Sequence, residues 1–245
     1  MIKTPIIMKQ NPLIFAEFEK AFSEVDHDVV NILLHALQNE LLFSDGSKMD
    51  LVNYEKIPNR TVKIRAGKFK VLGKFGKNGN QEIFHSLKKI NDTSAVIRNF
   101  TDIDGVRVKA STVNIIDKVS WIEKDGTEDS REHIFEIQFN EWFLRVSTKS
   151  FNQQVGNFTP LLLSDVSGLK SSFAKTLYEI LESKKYRETT FALKLEDMRK
   201  IFNLPERNLS YFVDAIKRNK KNIDILIHFE YEVFKKDKLI SFQYI

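Results

Sequence analysis

The chain has 245 residues, 42% hydrophobic and 29% charged, with a formal net charge of +5. It has 0 cysteines, which excludes disulfide frameworks, cysteine zinc sites and thiol chemistry and favours a reducing, cytoplasmic setting. No stretch approaches the roughly 20 uninterrupted apolar residues of a membrane span, and the apolar run in MIKTPIIMKQNPLIF is too short for a secretory signal.

From Asp26 to Phe43 the apolar residues keep helical spacing, and Asp26 or Asp28 suits the helix start, where a carboxylate faces unpaired N–H groups. SDGSK, Ser44 to Lys48, breaks that helix. TVKIR, Thr61 to Arg65, alternates as a short strand, and AGKFKVLG has room for one or two helical turns. KFGKNGN, Lys74 to Asn80, is a turn by its glycines and asparagines. Gln81 to Ile90 is helical with Ile83, Phe84, Leu87 and Ile90 inward, and SAVIRNF is strand-like. GVRVKASTVNIIDKVSWIEK and EHIFEIQF alternate on either side of DGTEDS and predict a β-hairpin.

The pattern then restarts. Ser171 to Ser183 is an amphipathic helix with Phe173, Leu177, Ile180 and Leu181 inward. KKYRETT is a loop, FALKL a short strand, and Glu196 to Leu204 a short helix stopped by Pro205. Arg207 to Ile223 forms a helix with two unlike faces: Leu209, Phe212, Val213, Ile216 and Ile223 on one, basic and amide residues on the other. DILIHFEYEVF and LISFQYI are strands joined by KKDK, a hairpin with a basic tip.

Both halves thus run helix, short strand, short helix, turn, helix, hairpin. That order predicts an α+β fold of two winged-helix domains in tandem, each a helix-turn-helix followed by a β-hairpin wing. The boundary falls near residues 150–165, giving domains 1–155 and 156–245. The charge is unevenly spread. Residues 56–90 hold 10 basic residues against 1 acidic, and residues 170–245 hold 16 against 11, while the segments between and before them are net acidic.

In a winged helix the second helix of the turn enters the DNA major groove, led by its N-terminal residues. In the second half that helix offers Arg207, Asn208, Ser210, Tyr211, Lys217, Arg218 and Lys221, and the wing tip adds Lys235, Lys236 and Lys238. Arg can grip guanine O6 and N7, Asn adenine N6 and N7, while Lys, Ser and Tyr suit phosphate oxygens. In the first half the equivalent helix offers Gln81, His85, Lys88 and Lys89, preceded by Lys74, Lys77, Asn78 and Asn80. Two basic blocks fall on two independently parsed recognition positions, which makes double-stranded DNA the expected partner.

Phe158 to Ile245 carries a resemblance to a known family. FTPLLLSDVSGLKSSFAKTLYEILES and FALKLEDMRKIFNLPE followed by LSYFVDAIKRNKKNIDI resemble the second winged helix of plasmid replication initiator (Rep) proteins of the iteron-binding class. VDHDVVNILLHALQ resembles the long leading helix of their first domain. The resemblance implies sequence-specific binding of origin direct repeats, help in opening the origin, contacts with host replication proteins, and a homodimer in equilibrium with monomer that represses its own promoter. It assigns base reading to Arg207–Lys221, a backbone grip to Asn80–Lys89, and dimerisation to the first domain. A sheet edge in 106–139 is then a candidate for self-association, beside the alternative of a fully covered sheet. A tandem winged-helix regulator acting only at promoters is the competing function.

No enzyme is expected, and no cofactor or metal. TDIDGVR places Asp102 and Asp104 two apart but lacks the other ligands of a calcium loop. EDSREH has no helical His pair, His35 is expected to be packed, and GKFGKNG lacks the Gly-Lys-Ser/Thr of a Walker loop. The 20 phenylalanines fall mostly at periodic apolar positions and are expected in the core rather than as base-stacking platforms.

Overall fold

The computed structural model describes residues 5–39, 59–73, 75, 79–101, 106–123, 130–146, 158–185 and 187–245. The first half opens with strand β1 (Ile6–Gln10), a single turn α1 (Asn11–Ile14) and a two-residue strand β2 (Glu17–Phe18). Helix α2 (Glu24–Leu37) follows. Its start is fixed by a capping box in which Ser23 accepts from the Asp26 N–H while the Asp26 carboxylate accepts from the Ser23 N–H. Residues 40–43, expected to continue this helix, and the SDGSK break lie outside the described residues.

Strand β3 (Thr61–Arg65) runs straight into helix α3 (Ala66–Leu72), and helix α4 (Gly79–Asn91) completes the helix-turn-helix. Ile83, Leu87 and Ile90 of α4 are buried, as their spacing predicts. Strands β4 (Ser94–Thr101) and β5 (Arg107–Asn114) form a ribbon inserted before the wing, and β2 extends it to the sheet β2-β4-β5. The wing is β6 (Ile116–Ile122) and β7 (Ile134–Phe139), and β3 closes the sheet in the order β3-β7-β6. The expected unbroken strand from 105 to 124 is therefore, over its described residues, two strands in two sheets. Ile115 and Ile116 are neighbours and both buried, so the alternation slips phase there and the chain changes sheet. Helix α5 (Glu141–Val146) is the last element among the described residues of this half.

Strand β8 (Phe158–Leu162) and helix α6 (Leu163–Gly168) lead into helix α7 (Ser172–Lys184), capped by the Ser171 hydroxyl. Strand β9 (Thr190–Lys194), helix α8 (Leu195–Ile201), helix α9 (Leu209–Asp224) and strands β10 (Phe229–Phe234) and β11 (Leu239–Tyr244) follow. Their sheet order, β10-β11-β9, repeats that of the first half. One hydrogen bond repeats as well. Ala66 at the start of α3 donates to the His133 carbonyl just before β7, and Leu195 at the start of α8 donates to the Lys238 carbonyl just before β11, both at 2.8 Å. The fold is two winged helices in tandem, as expected.

Each half has its own core. The first centres on Ile32, Leu33, Phe69, Leu87 and Phe135, the second on Leu177, Ile180, Phe212, Ile216 and Phe242. Phe69, Phe135, Phe139, Phe143, Phe212, Phe229 and Phe242 are fully buried, which fits the core role expected of phenylalanine.

The sequence pattern gave no sign of how the halves join. β1 pairs antiparallel with β8, Ile6 opposite Leu162 through Gln10 opposite Phe158. Beneath this ribbon lies a buried polar junction. Lys9 pairs with Glu179 at 2.7 Å and reaches Asn31 at 3.3 Å, and Asn31 donates to the other Glu179 oxygen at 3.2 Å. Lys175, fully buried in α7, pairs with Asp28 of α2 and donates to the Glu24 carbonyl at 3.3 Å. Asn203, held at φ 50 at the end of α8, donates to the Phe18 carbonyl at 2.9 Å.

Candidate nucleic-acid interface

Helix α9 is set by a short chain of local contacts. Helix α8 ends at Ile201, short of the expected stop at Pro205, with Asn203 at φ 50 just beyond it, and Asn208 takes extended backbone and accepts from the Tyr211 N–H at 3.0 Å. Asn208 thus caps the helix, and its side-chain oxygen also accepts from the Ser210 hydroxyl at 2.8 Å. Arg199 of α8 donates from Nε to the Arg207 carbonyl at 2.8 Å, tying the entry of α9 to the preceding helix. Phe212, Ala215, Ile216 and Ile223 face the core.

The opposite face is wet. Arg207, Asn208, Ser210, Lys217, Arg218 and Lys221 are exposed and Tyr211 is half-buried. The Arg207 guanidinium lies over the Tyr211 ring at 4.7 Å, which narrows the conformations of a long side chain without using up its N–H donors. Arg218 curls back, donating from Nε to the Asp214 carbonyl at 3.3 Å.

Lys220 behaves differently from its neighbours. It pairs with Asp224 at 2.6 Å and Glu230 at 3.3 Å and sits 5.2 Å from the centre of the Phe229 ring. The Asp224 hydrogen bond is the main reason its pKa is raised. Lys220 braces the helix against the wing strand β10. At the wing tip, Lys235, Lys236 and Lys238 are exposed in the turn between β10 and β11, with Lys238 at φ 50.

In the first half Gln81, His85 and Lys88 are exposed along one stripe of α4. Two expected members are not on that surface. Asn80 is buried at 7% exposure, its amide 3.4 Å from His133 Nδ1, because the helix begins at Gly79 and this first turn packs against the wing. Lys89 is tied to Asp26 at 2.6 Å, with Ser86 donating to the same carboxylate at 2.6 Å. Burial alone would raise the Asp26 pKa, but the bonds from Lys89, Ser86 and Ser23 outweigh it and hold the carboxyl below its usual range. Lys74, Lys77 and Asn78 lie outside the described residues.

A family model described as initiator replication protein, WH1, matches residues 6–182. The chain belongs to this family. No curated protein matches the sequence. Among solved structures, a crystal structure of RctB domains 2–3 is similar, at 10% identity over 89% of this chain and 80% of that one, with a TM-score of 0.47.

In this replication initiator a further group of cations lies on β3, α3 and the turn before β7. Lys63 and Arg65 on the outer face of β3, Lys68 in α3 and Arg131 line one cleft, where Gly67 lets α3 approach the Arg131 backbone. Glu136 pairs with Lys63 at 3.1 Å and Glu132 with Arg65 at 3.8 Å. The alternation of TVKIR already placed Lys63 and Arg65 on the outer side of a strand, so their exposure was legible. That Arg131 joins them depends on the return of the wing, which local pattern does not encode. Among the described residues no group of His, Asp and Glu could hold a metal ion, and no helix is long and apolar enough to cross a membrane. Asp102 and Asp104 lie outside the described residues. His133 accepts from the Trp121 indole at 3.1 Å within the wing.

Proposed function

We propose that this replication initiator acts in the cytoplasm of a plasmid-bearing bacterium, binding direct repeats of origin DNA and helping to open the origin without a bond-breaking step. The second domain, 156–245, reads bases through α9: Arg207, Asn208, Ser210, Tyr211, Lys217, Arg218 and Lys221 face the major groove, and Lys235 and Lys236 reach phosphates. The first domain, 1–155, grips the backbone through Gln81, His85 and Lys88, and Lys74, Lys77 and Asn78, which precede them in the sequence, join that grip. Asn208 contributes through its cap as much as through any base contact, because its side-chain oxygen is already committed.

The observation that carries this reading is Arg207: exposed, at the N-terminal end of the third helix of a winged helix, and stacked over Tyr211. About eight neutralised phosphates would give a slope of log K against log[salt] near −7. A homodimer that represses its own promoter and contacts with host replication proteins complete the proposal. The exposed residues of edge strand β5 are the surface on which such a dimer would form. Sedimentation across a dilution series tests for it.

Selecting bound fragments from a random DNA pool tests the function. Tandem direct repeats of roughly twenty base pairs support an initiator spanning successive turns. Enrichment of a lone inverted repeat would identify a promoter regulator instead, and reproducible nicking of supercoiled DNA with magnesium would identify a nuclease.

A further inference from the structure

We propose that Asp214 is a specificity-determining residue, a carboxylate that reads the exocyclic amino group of cytosine in the major groove. This rests on α9 being the base-reading helix. At about 100° per residue, Asp214 lies opposite the buried stripe of Phe212, Ala215, Ile216 and Ile223. It is exposed, with Ser210 one turn before it, Lys217 and Arg218 one turn after, and Lys221 two turns after. It is the acid at the centre of an otherwise basic and polar face.

Lys217 and Arg218 stand three and four residues on, the spacing at which helical ion pairs form. Among the described residues, however, the Asp214 carboxylate takes part in no ion pair and accepts no hydrogen bond, and the Arg218 Nε goes to its main-chain carbonyl instead. A solvated carboxylate facing DNA is repelled by every phosphate, so it weakens binding unless a donor meets it. An ionised carboxylate only accepts. The major-groove edges offer it two donors, adenine N6 and cytosine N4. Adenine sets the N7 acceptor beside its amino group, which repels a carboxylate. Cytosine presents its amino group with no acceptor of its own on that edge. The flanking Lys217, Arg218 and Lys221 offset the phosphate field and let the carboxylate approach.

The two effects of Asp214 have opposite signs, and that makes them separable from a solvated surface acid. The wild-type protein, Asp214→Ala and Asp214→Asn are each used to select from a random pool. Each is then titrated with the selected site, with that site altered one base pair at a time, and with random DNA. The wild type is expected to enrich cytosine at one position that both variants no longer discriminate, narrowing the ratio there by roughly tenfold. Random DNA is expected to bind Asp214→Ala about threefold more tightly. If both variants enrich the wild-type motif unchanged, Asp214 reads nothing and the proposal is overturned, even if random DNA binds more tightly. Arg207→Ala separates this failure from a deeper one. Should it leave the selected site bound as before, or should the wild type enrich no motif, the base-reading role of α9 falls and the role of Asp214 falls with it.

Discussion

Truncating Arg207 to alanine is expected to cost about 1–3 kcal/mol on a selected site and little on random DNA, measured by titrating both at one salt concentration. The difference between the two titrations is the signature of a base contact. A phosphate contact would weaken both alike. Lys88 and Lys89 look equivalent in the sequence, yet they lead to different expectations. Lys88 is exposed, so Lys88→Ala should reduce affinity for all sequences and flatten the salt slope by about one. Lys89 neutralises the buried carboxylate of Asp26, so Lys89→Ala should cost about 1–2 kcal/mol of folding stability in urea denaturation. Residue type reveals charge, but not whether a distant side chain has already claimed it. Asp26 stands 63 residues before Lys89 in the chain. For the same reason Asn80 was misplaced on the surface, because its neighbour His133 arrives through the wing.

At the scale of elements, the longer helices were legible because each carries an apolar stripe, and α2, α7 and α9 also carry a side-chain cap. Asn208 is a signal that was passed over, since the expected helix began at Arg207 with Asn208 on its wet face, whereas α9 begins at Leu209. An Asn just before a periodic stretch marks a helix start, and its side chain does cap α9. Asn208→Ala should therefore lower stability by about 1 kcal/mol, read from thermal unfolding. It should also weaken specific binding, because the cap fixes the turn that presents Arg207 and Tyr211. The strands were harder to place. The slip at Ile115 and Ile116 is visible in the sequence as two adjacent isoleucines, but a run of alternation conceals it unless the phase is counted. β1 and β8 carried no comparable signal. They are five residues each, one contains Pro160, and each finds its partner about 150 residues away. Pro160 is tolerated because the ribbon has only two strands, so the missing N–H leaves no interior ladder broken.

At the scale of the whole molecule, the junction decides how firmly one winged helix is held against the other. Lys9, Glu179, Asn31, Lys175 and Asp28 are all less than 5% exposed, and their charges are matched across it. Removing one partner from such a pair strands a buried charge, whereas replacing both with apolar groups need not. Lys175→Met should cost about 3–5 kcal/mol, and adding Asp28→Leu should recover most of it, both read from denaturant midpoints. His27 lies in the same junction, its Nε2 3.5 Å from Thr176 Oγ1 and its ring edge-on to Phe22. Burial holds its pKa down at about 4, from 6.5. Since the folded protein refuses a proton that the unfolded chain accepts, stability is fully present above pH 6.5 and is lost as pH falls toward 4. The loss amounts to at most about 3 kcal/mol, since His27 as a residue is half-buried rather than enclosed. His27→Gln should flatten that slope in urea titrations between pH 7 and pH 4.5, leaving the further decline from Asp26 below it. An unchanged slope in the variant would mean that the ring takes up its proton without disturbing the junction.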